Sequence, residues 1–171
     1  MQNNKTIIFD TSIDLSKYTN NAMLTFATER VIAHKNLVNK LAKKINREYP
    51  NHDDDKLSGN MHQAYGILWK IYPDTEQTIF PERIFLEAKK HQSFHRLLTP
   101  HHTDYWKNEN SIDASKMPTE YLEEMCCDWV AASIYDNENL IQWLGENINK
   151  QFSFSKSQLD FIYKTIDILK A

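Results

Sequence analysis

Apolar positions in this chain recur at steps of three and four over most of its length, the period of helices with one buried face. Ala27, Val31, His34, Val38, Leu41 and Ile45 form the longest stripe. It predicts a helix over about 21–49, ended by Pro50, because the residue before proline is steered away from helical geometry. The acidic run NHDDDK is expected to open a second helix reaching Ile71, since carboxylates favour a helix N-terminus. Residues 72–81 read as a loop. A third helix starts at Pro81 or Glu82, with proline in its favoured first turn. It turns Ile84, Ala88, His91, His95 and Leu98 inward until Pro100.

After a polar loop over 107–116, Ser115 is expected to cap a helix over about 117–135. One face of that helix carries Tyr121, Met125, Asp128 and Ala132. Two shorter helices follow, about 139–150 and 156–169, the last striped with Leu159, Ile162, Ile166 and Leu169. At the start, Thr6 to Phe9 form a short irregular or β-like run. The predicted fold is all-α: a single-domain bundle of about six helices over 21–171, behind an N-terminal extension of 1–20.

Composition narrows this picture. Three glycines and five prolines in 171 residues argue against a turn-rich β fold. A net charge of -3 provides no general basic field for a nucleic-acid backbone, so nucleic acid is disfavoured as a partner. The longest apolar runs fall far short of the ~20 residues of a membrane span. The opening MQNNKTIIFD lacks the basic head and apolar core of a signal peptide, so a cytoplasmic location is expected. Cys126 and Cys127 are adjacent and read as reduced core residues, because neighbouring cysteines rarely bridge.

Candidate chemistry comes from polar residues in apolar places. His34 stands in its helix stripe where a valine would fit, and Asp128 faces inward among Cys127, Trp129 and Val130. Each is costly to bury without a partner or a metal. Taken singly, a hydrogen-bonded core histidine and a structural ion pair are the ordinary explanations. The adjacent His52-Asp53 pair is equally ordinary by itself, as a solvated acidic turn. Together with His95 and His101 or His102, however, they run in the order H…HD…H…H…D. That order resembles the HD superfamily of metal-dependent phosphohydrolases, in which ligands from separate helices converge on one or two metal ions. HDDDK also resembles the HDxxK variant, whose lysine lies near the substrate phosphate.

A closer resemblance is carried by HKNLV, HDDDKL, HRLLTPHHTDYW and MPTEYLEEMCCDWVAAS. These look like the bacterial and phage domain-of-unknown-function family 5662, over about 32–133. Its pattern runs roughly HK…HDxSK…HxxxNPHHxxYW…MPxxYxxEMxCDWxA. Here Asp55 replaces the usual Ser and Thr99 the usual Asn. If the chain is phage-encoded, its location is the host cytoplasm. With these resemblances, His34, His52, Asp53 and Asp128 are expected as the core ligands of a shared cation, and His95 with His101 or His102 would complete a second metal or contact phosphate. The expected mechanism then has Lys56 on the phosphate and Asp54 or Glu124 as acid or base. Arg96 and Tyr105 are candidates for substrate contact, and His62 reads as a surface residue.

Histidine and carboxylate donors suit Mn, Fe, Zn, Co or Ni, as one or two divalent ions. The expected function is hydrolysis of a small phosphorylated molecule, a nucleotide by preference. The alternatives are a di-iron HD-type oxygenase and a non-enzymatic, metal-stabilised module. Homo-oligomerisation is compatible with all three.

Overall fold

The three-and-four spacing resolves into helices throughout. The structure, a computed structural model, describes residues 6–70 and 80–171. In chain order it has α1 (Asn21–Ala42), α2 (Gly59–Lys70), α3 (Glu82–Leu98), α4 (Thr103–Trp106), α5 (Thr119–Tyr135), α6 (Leu140–Asn147) and α7 (Lys156–Lys170). Among the described residues there is no strand or sheet, and the fold class is all-α as expected. The loop expected over 72–81 lies outside the described residues up to 79, as does Ile71. No helix among the described residues is long and apolar enough to cross a membrane.

Helix boundaries differ from the sequence expectation where local capping decides. α1 stops at Ala42 and passes through a 3-10 turn, Lys43–Ile45, to Asn46, whose φ of 56° is left-handed. The Asn46 N–H reaches the Lys43 carbonyl at 3.2 Å, and the Arg47 N–H reaches that of Ala42 at 2.9 Å. Asparagine tolerates that conformation, so the helix is closed here, ahead of Pro50. The acidic run makes only a 3-10 turn, Asp54–Leu57, before Gly59 (φ 55°) turns the chain into α2. α5 begins at Thr119 with Pro118 at its N-cap, beyond the Ser115 expected to cap it, whose N–H goes to Asp113 Oδ1 at 2.8 Å. α7 carries the capping box that the sequence spells as Ser155 and Gln158. His62 is half-buried, with Nε2 2.9 Å from Thr28 Oγ1 and 3.0 Å from the Leu24 carbonyl.

The chain packs as two compact units. One comprises His34–His52 and Arg96–Ala171; the other comprises 6–33 and Asp53–His95. In the first, Val38 and Leu41 of α1, Met125 and Val130 of α5, Leu144 of α6 and Ile162 and Ile166 of α7 share one core. Trp129 closes it against Trp143 and Phe152, at 5.6 and 5.5 Å between rings. Cys126 and Cys127 are buried and unbridged there, and burial pushes the Cys127 thiol up to about 12. In the second unit, Leu15, Met23, Ile67, Leu68 and Ile84 form a smaller core. Ile166 has no exposed surface. Ile166→Ala is therefore expected to cost about 2–5 kcal/mol in urea denaturation, as transfer and cavity terms add.

Candidate metal centre

Three segments of the first unit present the candidate ligands: α1, the turn ending at His52, and α5. In α5, Glu124 and Asp128 are four residues apart, so they stand one turn apart on the same face. His34 projects from α1 towards this face. Its Nε2 donates to Asp128 Oδ1 at 2.8 Å. His52 spans both carboxylates: Nδ1 donates to Glu124 Oε1 at 2.9 Å, while Nε2 lies 3.8 Å from Asp128 Oδ1 and 3.3 Å from His34 Nε2. The His52 side chain is fully buried, and those of His34 and Asp128 keep only 16% and 13% exposure.

The turn that delivers His52 is held by a residue the sequence did not single out. Asn39 of α1 accepts the Tyr49 N–H at 2.8 Å and donates to the Tyr49 carbonyl at 3.0 Å. That carbonyl also accepts the His52 N–H at 3.1 Å. Arg47 ties the same turn to Glu123 of α5 at 2.7 Å. An asparagine on an amphipathic helix gives no signal of this in one sequence, because its partner is backbone.

These contacts give the electrostatics. Burial alone pushes the Glu124 carboxyl up, but bonds from His101 and His52 outweigh it and hold the group down at about 2. Burial also opposes ionisation of Asp128, but the bond from His34, with the His52 ring close by, keeps it well below the usual carboxylate range. Both residues are anions at neutral pH. Because each folded value lies below the ordinary one, their stabilisation is present above the ordinary value and is lost as pH falls through the folded one. For Glu124 that window runs from 4.5 down to about 2. Glu124→Gln is expected to flatten the decline of the urea midpoint across that window.

His34 Nε2, His52 Nε2 and Asp128 Oδ1 form a triangle with edges of 2.8, 3.3 and 3.8 Å. A circle through three such points has a radius of about 2 Å, close to the length of metal bonds to imidazole nitrogen and carboxylate oxygen. The second-row contact is also in place, since Glu124 holds the His52 proton on Nδ1 and leaves Nε2 to the triangle. The three residues thus fit a divalent ion.

Of the two adjacent histidines left open by the sequence, His101 is the one whose Nδ1 meets Glu124, at 3.2 Å, with its ring 4.5 Å from that of His52. His102 is half-buried, 4.4 Å from the His101 ring. The loop carrying them is closed by Trp106, whose indole N–H donates to the Pro100 carbonyl at 2.6 Å. Arg96 is exposed and bound to Asp104 at 2.8 Å, and Tyr105 is half-buried with its ring 4.9 Å from that of Trp106.

The remaining candidates belong to the second unit. Asp53, in a left-handed conformation (φ 61°), accepts the Lys56 ammonium at 2.7 Å, and that ammonium lies 4.9 Å over the Tyr65 ring. His95 is fully buried in its side chain; Nδ1 donates to Asp55 Oδ2 at 2.7 Å, and Nε2 stands 3.3 Å from Asp53 Oδ1. Asp54, between the two carboxylates, is exposed. His91, expected on the inner face of its helix, stacks on Phe9 at 4.3 Å. Of the four residues expected to share one cation, the first unit brings together His34, His52 and Asp128. Asp53 is engaged in the second unit by Lys56 and His95.

Residues 23–168 match a family described as "Family of unknown function (DUF5662)". No curated protein and no solved structure matches the chain.

Proposed function

The chain belongs to that family of unknown function, and we propose that it is a metal-dependent phosphohydrolase of the HD kind, acting on a small phosphorylated molecule in the cytoplasm. A nucleotide is the favoured substrate. The single observation behind this is the triangle of His34 Nε2, His52 Nε2 and Asp128 Oδ1, whose radius suits a divalent ion. The order H…HD…H…H…D along the chain supports the choice of reaction.

A divalent ion bound there supplies Lewis acidity and brings the pKa of a coordinated water from 15.7 to about 7. The protein's own residues prepare for this. Asp128 contributes negative charge at neutral pH. Glu124 fixes the proton of His52 on Nδ1, so that Nε2 is the binding nitrogen. To offer Nε2 to an ion, the neutral His34 ring would carry its proton on Nδ1 in place of Nε2. Overall, water adds across a P–O ester bond, giving an alcohol and a phosphate.

The test is elemental analysis of the purified protein, followed by a screen of phosphorylated metabolites, nucleotides included, with added Mn, Co or Ni. Phosphate release that needs the ion and stops with chelator is the expected result. A protein loaded with any of these ions that releases phosphate from none of the panel overturns the proposal.

A further inference from the structure

We propose that Asp55 is a positioning residue: it decides which ring nitrogen of His95 carries the proton, and therefore which nitrogen offers a lone pair. The His95 side chain has no exposed surface, and its Nδ1 lies 2.7 Å from Asp55 Oδ2. An ionised carboxylate only accepts, so Nδ1 supplies the N–H. In the neutral ring that leaves the lone pair on Nε2. Asp53 faces that nitrogen, with Oδ1 3.3 Å away. Alternate residues of one short turn thus face the two nitrogens of one imidazole, while Asp54 between them is exposed.

The arrangement has a chemical consequence. With the lone pair on Nε2, that nitrogen and the Asp53 oxygen 3.3 Å away are both able to donate to a cation placed between them. Two donors at bonds of about 2.1 Å to one tetrahedral or octahedral ion stand roughly 3.0–3.4 Å apart. Asp53 is itself steadied by Lys56 at 2.7 Å, so its Oδ1 does not swing away at no cost. Asp55, with 48% of its side chain exposed, is not needed as a ligand in this arrangement. Its part is to orient His95 and make Nε2 a stronger donor, as carboxylates behind metal-bound histidines do. The cation at Asp53 and His95 rests on the proposed metal-dependent function; the orienting role of Asp55 does not.

The two parts are tested separately on the full chain. Long-range 1H–15N correlation of the His95 ring, in metal-free protein at alkaline pH, reads the tautomer directly. Wild type is expected to show Nδ1–H. Asp55→Asn keeps an acceptor oxygen and should keep that tautomer. Asp55→Ala should move His95 towards Nε2–H, which then donates to Asp53. Nε2–H in the wild type, or no change in Asp55→Ala, overturns the role of Asp55. Titration with Mn2+ alone forms the second arm, with thermal melting to confirm that each variant is folded. Asp55→Ala is expected to weaken binding about 10–100-fold. A tautomer that follows Asp55 while Mn2+ affinity stays unchanged keeps its orienting role and overturns the cation at Asp53 and His95.

Discussion

Replacing Asp128 with asparagine is expected to weaken divalent-ion binding by more than about 100-fold, and to abolish ion-dependent turnover, while the protein stays folded. The floor comes from residues that only support a ligand, whose loss already costs 10–100-fold. Asp128 is closer than that, since its Oδ1 forms one corner of the triangle with His34 and His52. Asparagine keeps an oxygen for the His34 N–H and removes the charge. Asp128→Ala removes both, leaving His34 without its acceptor in a largely buried setting, at a further cost of about 1–3 kcal/mol. At roughly 2–4 °C per kcal/mol for a chain of this size, Asp128→Ala should melt measurably lower than Asp128→Asn. Mn2+ titration and thermal melting of the pair separate the two contributions. If asparagine alone unfolds the protein, the cluster is a structural network and not a binding site.

Saturating divalent ion should raise the melting temperature by about 5–10 °C, and chelator should reverse it. The size follows from mass action: ion at 100 times its dissociation constant stabilises the folded state by about 2.7 kcal/mol. At roughly 2–4 °C per kcal/mol this gives the expected shift. The metal-free cluster already holds the donor atoms together, with Nε2 of His34 and Nε2 of His52 3.3 Å apart beside an anionic carboxylate. The shift should vanish in Asp128→Asn, as measured by differential scanning calorimetry with and without Mn2+ or Zn2+.

Much of the fold and part of the site were legible in the sequence because both depend on period. The α3 start was readable from Pro81 and the α7 stripe from Leu159, Ile162, Ile166 and Leu169, since proline chemistry and 3.6-residue spacing are local. The α1 end was not, because a left-handed Asn46 closes the helix seven residues after Asn39 with no hydrophobic signal of its own. His34 and Asp128 stood out as polar residues on apolar faces, and the structure joins them at 2.8 Å. Glu124 was singled out as a candidate acid or base, but its bonds to His52 and His101 depend on tertiary packing. Asn39 and Asp55 act through a backbone group and a distant ring respectively, 10 and 40 residues along the chain, which no local pattern encodes.

The proposed function requires His34, His52 and Asp128 to bind one cation. Crystals of the protein soaked in Mn2+ or Zn2+, with data collected at the absorption edge of the added metal, test it directly. An anomalous peak is expected about 2 Å from His34 Nε2, His52 Nε2 and Asp128 Oδ1. A fully soaked crystal with no peak there, or with peaks only on other residues, contradicts it.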